Sequence, residues 1–170
     1  MHNDCSFSAC RGYRYTLLHQ WDELFDRRRA LFICLNPSTA DEWQLDPTLT
    51  RIKSFCERMG ANEFLMLNIF AYRATAPKDM MAVEDPVGPD NDMHIQQAVR
   101  HAYALNQGSL DIICGWGNHG LHRDRQSAVL QLLAPFRKFP KLNIACLGKN
   151  ANATPKHPLY IAANKAFEAL

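Results

Sequence analysis

Four short runs of consecutive apolar residues recur along the chain, and each is followed by a polar or glycine-containing segment. Continuous apolar runs of this length are typical of strands that are buried on both faces of a sheet. The pattern therefore predicts buried strands over residues 30–35, 64–67, 110–114 and 142–147. Residues 13–21 mix β-branched and aromatic side chains with polar ones, which indicates an edge strand or half of a hairpin.

Helical periodicity and helix-boundary residues lie between these runs. They predict helices over residues 47–59, 91–105, 124–136 and 159–170. The first helix has clear boundaries, because Asp46 is a plausible N-cap, Pro47 suits the first helical position and Gly60 suits the end. Residues 71–89 contain three prolines and a glycine, so we expect them to be largely loop.

The alternation of strands and helices predicts an α/β fold. Strand–helix–strand units with right-handed crossovers give a three-layer α/β/α arrangement around a mostly parallel, four-stranded central sheet. We expect residues 13–21 to add an N-terminal edge strand or hairpin. The chain is expected to form a single domain over residues 1–170, with residues 1–12 as a flexible leader. In such sheets the ligand site lies outside the carboxyl ends of the strands.

Composition and charge restrict the classes of function. Hydrophobic residues make up 47% of the chain, which is enough for one compact core. No apolar run approaches the roughly 18 residues that would cross a bilayer, and residues 1–14 lack the apolar stretch of a signal peptide. We therefore expect a cytoplasmic protein with no membrane partner. The net charge of +2 argues against a strongly basic, DNA-coating protein.

The local basic clusters and the cysteines do not by themselves indicate a function. The basic clusters at residues 27–29 and 123–138 are either solvated surface or a small face for phosphate contacts. The six cysteines form no C-x-x-C pair, and neither a phosphate-binding P-loop nor a G-x-S-x-G nucleophile motif is present. We expect no cofactor and no bound metal, and the pattern leaves the oligomeric state open.

The first strand predicted to be buried is followed by a polar segment, residues 36–41, that could carry chemistry. Pro37 fixes the backbone and removes a donor, so the chain is expected to turn sharply away from the sheet there, beside Ser38. Asn36 and Asp41 are then candidates to hold a water molecule or a ligand amide. The alternative is an Asx-type turn in which both side chains bond their own backbone.

The second of these strands ends at Asn68. A buried amide is costly unless it is satisfied, and its donor and acceptor suit the edge of a nucleobase. Phe70 and Tyr72 could stack on a planar ligand, and Arg73 could pair with a phosphate or a carboxylate. The alternatives are a structural asparagine that bonds loop backbone and aromatic side chains that pack in the core.

The third and fourth strands are followed by aromatic and histidine residues. Trp116 lies between two glycines, which permit close backbone approach to a ligand, and is either a packing residue or a stacking platform. His119 and His122, three residues apart, could bind a metal as a pair, although no Cys or acidic third ligand is evident nearby. His157 precedes a proline and could stabilise negative charge on a leaving group, or it could cap a helix.

Taken together, these motifs resemble a bacterial and phage domain family of unknown function. The resemblance rests on Leu-Asn-Pro-Ser-Thr-Ala-Asp at residues 35–41, Asp-Pro-Thr at 46–48, Leu-Asn-Ile-Phe at 67–70, Trp-Gly at 116–117 and His-Pro-Leu-Tyr at 157–160. It covers most of the chain, from about residue 13 onward. The family itself implies no activity.

The order of the motifs also resembles, more distantly, the uracil-DNA glycosylase superfamily. That resemblance implies a pocket in which Asn36, with Asp41, positions the attacking water and His157 stabilises the departing base. It places Asn68 at the edge of the base. The substrate-binding residues that we expect are Pro37, Ser38, Asn68, Phe70, Arg73, Trp116 and Tyr160. The sequence departs from the superfamily by lacking a glycine two residues before Asn36 and by the loop that separates the last strand from His157.

Three functions remain open from the sequence. The first is hydrolysis of an N-glycosidic bond of a nucleobase, in DNA or in a nucleotide, on a glycosylase-like fold. The second is a non-catalytic module that binds a nucleotide or nucleic acid in the same pocket. The third is a metal-dependent hydrolase built on His119, His122 and Asp124.

Overall fold

The computed structural model describes residues 2–22, 27–38, 47–162 and 164–170. Within these residues, seven strands form one sheet in the order β1-β2-β4-β3-β5-β6-β7. The strands are β1 (His2–Phe7), β2 (Arg14–Gln20), β3 (Arg29–Cys34), β4 (Glu63–Asn68), β5 (Leu110–Gly115), β6 (Leu142–Cys146) and β7 (Glu168–Ala169). All four strands predicted to be buried are present, within one or two residues of the expected limits.

The sheet is mixed. The four central strands β4, β3, β5 and β6 run parallel to one another, whereas β2 pairs antiparallel with β4, β1 with β2, and β7 with β6. The α/β class is therefore confirmed, but the expectation of a mostly parallel four-stranded sheet is wrong. The sequence also predicted a flexible leader over residues 1–12, whereas His2–Phe7 form the edge strand of a hairpin. The additional strands pair with backbone groups that would otherwise be exposed at the edges of the parallel strands.

Helices cover both faces of the sheet. They are α1 (Pro47–Arg58), α2 (Pro77–Ala82), α3 (Asn91–Leu105) and α4 (Arg125–Leu133). One core cluster joins one sheet face to α2, α3 and α4, and the other joins the opposite face to α1. The prediction of α3 is confirmed, and α1 begins as predicted at Pro47 and ends one residue early. The proposed cap of α1, Asp46, lies outside the described residues.

Two predicted helices differ from the structure. α4 ends at Leu133 and continues as a 3₁₀ helix over Ala134–Lys138, because Pro135 has no backbone N–H to donate. The helix predicted over residues 159–170 is wrong. A 3₁₀ turn at Pro158–Tyr160 is followed by a turn in which Lys165 N donates to Ala162 O at 3.0 Å, and then by β7. Phe167 there packs against Phe55 of α1 at 6.2 Å between ring centroids, so tertiary contacts override helix propensity.

The segment between β4 and α3, predicted to be largely loop, contains only the short helix α2. In the described part of the chain, none of the helices has both the length and the apolar composition needed to cross a membrane.

Candidate functional site

A cavity of about 460 Å³ opens at the carboxyl ends of the parallel strands. Its walls come from the residues that follow β3, from the segment after β5 and from the loop after β6. Asn36, Ser38, Trp116, His157 and Tyr160 all line it. Half of the ten residues that the sequence predicted for the site therefore meet in one place, at the end of the sheet where ligands of α/β proteins bind.

Asn36 is held by its amide nitrogen. Its Nδ2 donates to the carbonyl oxygens of Ala74 and Pro37, at 2.8 and 3.0 Å. Both amide protons are thus used on backbone, which fixes the orientation of the group. Oδ1 has no hydrogen-bond partner among the described residues, so Asn36 offers an acceptor at the cavity wall. Asp41 lies outside the described residues.

His157 returns to the sheet through a closed loop. Residues 149–156 leave the end of β6 and fold back as a narrow hairpin, in which Lys156 N donates to Gly148 O at 2.8 Å. Gly117 N also donates to Pro155 O at 2.8 Å, which ties the hairpin to the segment after β5. The loop that separated His157 from the last strand in the sequence therefore still delivers it to the strand ends.

A backbone contact determines which ring nitrogen of neutral His157 carries the proton. Its Nδ1 accepts a hydrogen bond from Leu159 N at 3.4 Å, so the neutral imidazole carries its proton on Nε2. The ring of Tyr160 lies 6.2 Å from that of His157, and the Tyr160 side chain is 84% exposed at the rim of the cavity. His157 thus caps the following turn and also lines the cavity.

Trp116 contributes a wall and is not a free stacking surface. It is only 1% exposed, and its indole N–H donates to Gln126 Oε1 at 2.7 Å. A Cβ on Gly120 would lie 2.1 Å from Trp116 Cδ1, so only glycine permits this packing. Trp116 is therefore a packing residue whose edge reaches the cavity.

The glycines of this segment have the spacing of a dinucleotide-binding loop, which the sequence analysis missed. Residues 115–120 read Gly-x-Gly-x-x-Gly after a strand. The chain continues into 3₁₀ turns over Asn118–Asp124, which a kink at His122 and Arg123 interrupts, rather than into an α-helix. A Cβ on Gly115 would meet Pro158 Cδ at 2.8 Å, so this glycine serves packing. Gly117, with φ of 69°, lines the cavity and brings backbone close to a ligand.

Two asparagines and an arginine complete the polar lining, and sequence patterns did not single them out. Asn118 and Asn150 both line the cavity and both contact the buried Thr154 hydroxyl. Arg14, at the start of β2, is 2% exposed and also lines the cavity. The position of Asn118 and Asn150 after strand ends was the one sequence feature that could have identified them. No feature of the sequence marked Arg14 as a cavity residue.

Four predicted residues are not brought into the cavity. Pro37 is buried beside it. Asn68 is 1% exposed, and its carbonyl oxygen accepts from Asn91 Nδ2 at 2.9 Å. Phe70 is fully buried in the core, with its ring 5.8 Å from that of His122. Arg73 lies over the Phe7 ring at 5.1 Å.

The basic clusters serve the fold. Arg29 begins β3 at the end of the sheet opposite the cavity, where its Nε donates to Glu63 Oε1 at 2.6 Å. Arg123 donates to the carbonyl oxygens of Val83 and Glu84. Arg125 donates to Ile69 O at 2.7 Å and pairs with Asp92. Arg123 and Arg125 thus bond the backbone of the loop between β4 and α3, and Arg29 pairs with Glu63 at the far end of the sheet.

The residues proposed for a metal site do not assemble. His119 lines the cavity, His122 packs near Phe70, and Asp124 accepts from Ser127 Oγ at 2.6 Å. Among the residues that the structure describes, no three His, Cys, Asp or Glu side chains form a group that could hold a metal ion. The metal-dependent hydrolase therefore lacks a ligand set in that region.

Comparison with known proteins places the chain in a family without assigning it an activity. No curated protein and no solved structure matched it. A family model described as "Protein of unknown function (DUF1643)" matches residues 14–159, which contain the parallel strands and nearly all of the cavity lining. The chain therefore belongs to this family of proteins of unknown function.

Proposed function

We propose that the cavity binds a nucleobase, in a nucleotide or in nucleic acid, and that the protein hydrolyses its N-glycosidic bond. The observation that carries the proposal is the meeting of Asn36 and His157 in one cavity from the ends of different strands. Asn36 offers a hydrogen-bond acceptor and His157 a donor. Hydrolysis of this bond requires a held water on one side of the sugar carbon and support for the departing base on the other.

In the proposed reaction, water attacks C1′ of the sugar while the bond from C1′ to the base nitrogen breaks. The bonding electrons leave with the base, and His157 Nε2–H donates to the base anion. Asn36 Oδ1 accepts a hydrogen bond from the attacking water and so orients it. The proton that water loses ends on the base or in solvent, and Asp41 is the carboxylate that we propose to assist its removal.

The size and charge of the cavity suit such a ligand. A volume of about 460 Å³ falls within the range of small-molecule pockets. Among the described lining residues none is acidic, and Arg14 adds a buried cation. Arg14 is therefore suited to the phosphate of a nucleotide. Ser38 and Tyr160, which line the cavity, are proposed to contact the sugar and the rim of the base.

The resemblance to the uracil-DNA glycosylase superfamily adds support from the order of motifs along the chain. Asparagine-proline after one strand, Trp-Gly after another and His-Pro near the end follow in that order. The mixed seven-stranded sheet differs from the sheet that we expected from that resemblance. The proposal therefore rests on the cavity and takes the motif order only as agreement.

A second candidate is a binding module without catalysis. The observation that favours it is the position of Asn68 and Phe70, which were expected to recognise the base but do not line the cavity. A described lining without a carboxylate also suits binding better than proton removal.

Base release separates the two candidates. We would measure it from single- and double-stranded DNA and from nucleoside 5′-monophosphates that carry uracil and other altered bases. Release by the wild type should fall about 100-fold or more in Asn36→Ala and His157→Ala. His101→Ala, on the exposed surface of α3, is the matched control and should retain full activity.

Each outcome assigns a function. Asn36→Ala removes two hydrogen bonds to backbone and should cost about 1–3 kcal/mol in stability, so urea unfolding must first show that the variant is folded. Binding of nucleotide or DNA by the wild type without release would support the binding module. Absence of both binding and release would contradict the proposal.

A further inference from the structure

Asn118 and Asn150 are connected through one buried hydroxyl. Asn150 Nδ2 donates to Thr154 Oγ1 at 2.9 Å. Asn118 Oδ1 and Asn152 Oδ1 lie 3.0 and 2.7 Å from the same oxygen and share its proton. Each cavity-lining amide is thus held at one end by Thr154. Its other end, Nδ2 of Asn118 and Oδ1 of Asn150, has no hydrogen-bond partner among the described residues.

The arrangement is fixed before any ligand arrives. Thr154 is fully buried. Asn150 N donates to Thr154 O at 2.8 Å, and the isolated bridge between Lys149 and Pro155 closes the hairpin. Asn118 belongs to a different segment, after β5, so the Thr154 hydroxyl joins two walls of the cavity. A donor and an acceptor that are oriented in advance lose little entropy when they bind.

We propose that Asn118 Nδ2 and Asn150 Oδ1 recognise the hydrogen-bonding edge of the base. This inference rests on the proposed function in assuming that the cavity receives a nucleobase. The ligand class is a planar heterocycle that presents one acceptor and one donor, which bond to Asn118 and Asn150 respectively. Thr154 is a positioning residue, because it holds both amides and does not line the cavity. This pair takes the role that the sequence had suggested for Asn68.

A structural role alone predicts a different pattern. Asn106, at the far end of the sheet, uses both ends of its amide, since Oδ1 accepts from Arg29 N at 2.9 Å and Nδ2 donates to Arg29 O at 2.7 Å. An asparagine that only supports backbone can be satisfied in this way. Asn118 and Asn150 each line the cavity and, in the part of the chain that the structure describes, bond through one end of the amide.

Binding of defined nucleotides tests the inference. Isothermal titration with the 5′-monophosphates of uridine, guanosine, adenosine and cytidine should give measurable affinity for at least one of them. Asn118→Ala and Asn150→Ala should each weaken that affinity about 3- to 10-fold, the equivalent of one hydrogen bond. Asn152→Ala is the matched control, because Asn152 contacts the same hydroxyl but does not line the cavity. It should bind within about twofold of the wild type.

A double-mutant cycle, with one change in the base and the other in Asn150, tests whether the donor of the base bonds to Asn150. Methylation that removes the donor of the bound base, as in 3-methyluridine or 1-methylguanosine monophosphate, should weaken binding to the wild type. It should add little to the loss in Asn150→Ala, because the contact is already gone. Thr154→Val should weaken binding as the asparagine variants do, and Thr154→Ser, which keeps the hydroxyl, should restore it.

Three results would overturn the inference: no binding of any of the four nucleotides, wild-type affinity in both asparagine variants, or an equal loss in Asn152→Ala. Base release distinguishes this failure from that of the proposed hydrolysis. Release that persists unchanged in Asn118→Ala and Asn150→Ala keeps the hydrolysis and removes the recognition pair. Binding that depends on the pair without any release does the reverse.

Discussion

The two ends of the parallel strands use similar residues in opposite ways. At the amino end, Asn106 bonds the backbone of Arg29 through both ends of its amide, and Arg29 pairs with the buried Glu63. At the carboxyl end, Asn36 bonds backbone through Nδ2, whereas its Oδ1 has no hydrogen-bond partner among the described residues and Asn36 lines a cavity. The difference shows that residue type alone does not mark a functional site. What marks it is hydrogen-bonding capacity that the fold orients and leaves unused.

The strongest test of this contrast is Arg29→Ala at the amino end. Glu63 is fully buried and would lose its charge partner, so the free energy of unfolding should fall by about 3–5 kcal/mol. Urea unfolding followed by circular dichroism would measure the change. Nucleotide affinity of the folded fraction should stay at the wild-type value, because Arg29 is remote from the cavity.

Arg29→Lys serves as the control, since it keeps the charge and should recover part of the stability. A large loss of nucleotide affinity in this folded variant would show that the two ends are coupled. The contrast between a structural end and a functional end would then be wrong.

The central strands could be predicted from the sequence, because a strand that is buried on both faces needs a continuous run of apolar residues. Continuous apolar runs located the four parallel strands, and the rule for α/β sheets directed attention to their carboxyl ends, where the cavity lies. Asn36 and His157, which both line it, were candidates because each follows a strand directly or stands beside a proline. Features that depend on a few consecutive residues could therefore be predicted from the sequence.

The parts that the sequence missed depend on contacts between distant segments. Phe70 follows a strand, as a ligand-contacting residue would, yet its side chain points into the core. Asn118 and Asn150 meet only because Thr154 lies between them in space. The C-terminal segment has helix-forming residues but pairs with the open edge of β6. These contacts join segments that are far apart in the sequence, so no pattern among neighbouring residues could predict them.

Two glycine substitutions provide a sharper comparison of the two ends. Gly115→Ala should cost about 1–3 kcal/mol, because its Cβ would lie 2.8 Å from Pro158 Cδ and 3.3 Å from Lys156 O. Gly60→Ala should cost about 1–2 kcal/mol through its φ of 69°, because its Cβ would meet only the Arg28 side chain, at an ordinary contact distance of 3.7 Å. Similar losses of stability are therefore expected, from different causes.

Only the first substitution should change the site. Gly115→Ala must displace Pro158, and with it His157, so base release or nucleotide affinity should fall about tenfold or more. Gly60→Ala should leave both unchanged. Equal effects of the two variants on the site would mean that lost stability, rather than displaced geometry, controls activity.

The smallest expected effect concerns the lysines that flank the cavity. Lys149 and Lys156 are exposed and adjoin the cavity-lining residues Asn150 and His157, whereas Arg27 and Arg28 lie before β3 at the opposite end. If the base enters as part of a single strand, its flanking phosphates pass the two lysines. Fluorescence anisotropy with a labelled oligonucleotide should show several-fold weaker binding in Lys149→Gln/Lys156→Gln at low salt, with the salt slope reduced by roughly 0.7 for each lost contact.

Arg27→Gln/Arg28→Gln removes the same charge from the other end and is the matched control for net charge. Its binding should equal that of the wild type. Equal weakening in both double variants would mean that the strand senses only the overall charge and has no preferred end. Unchanged oligonucleotide binding in the lysine variant would contradict the prediction, because it would show that the flanking phosphates do not contact Lys149 and Lys156.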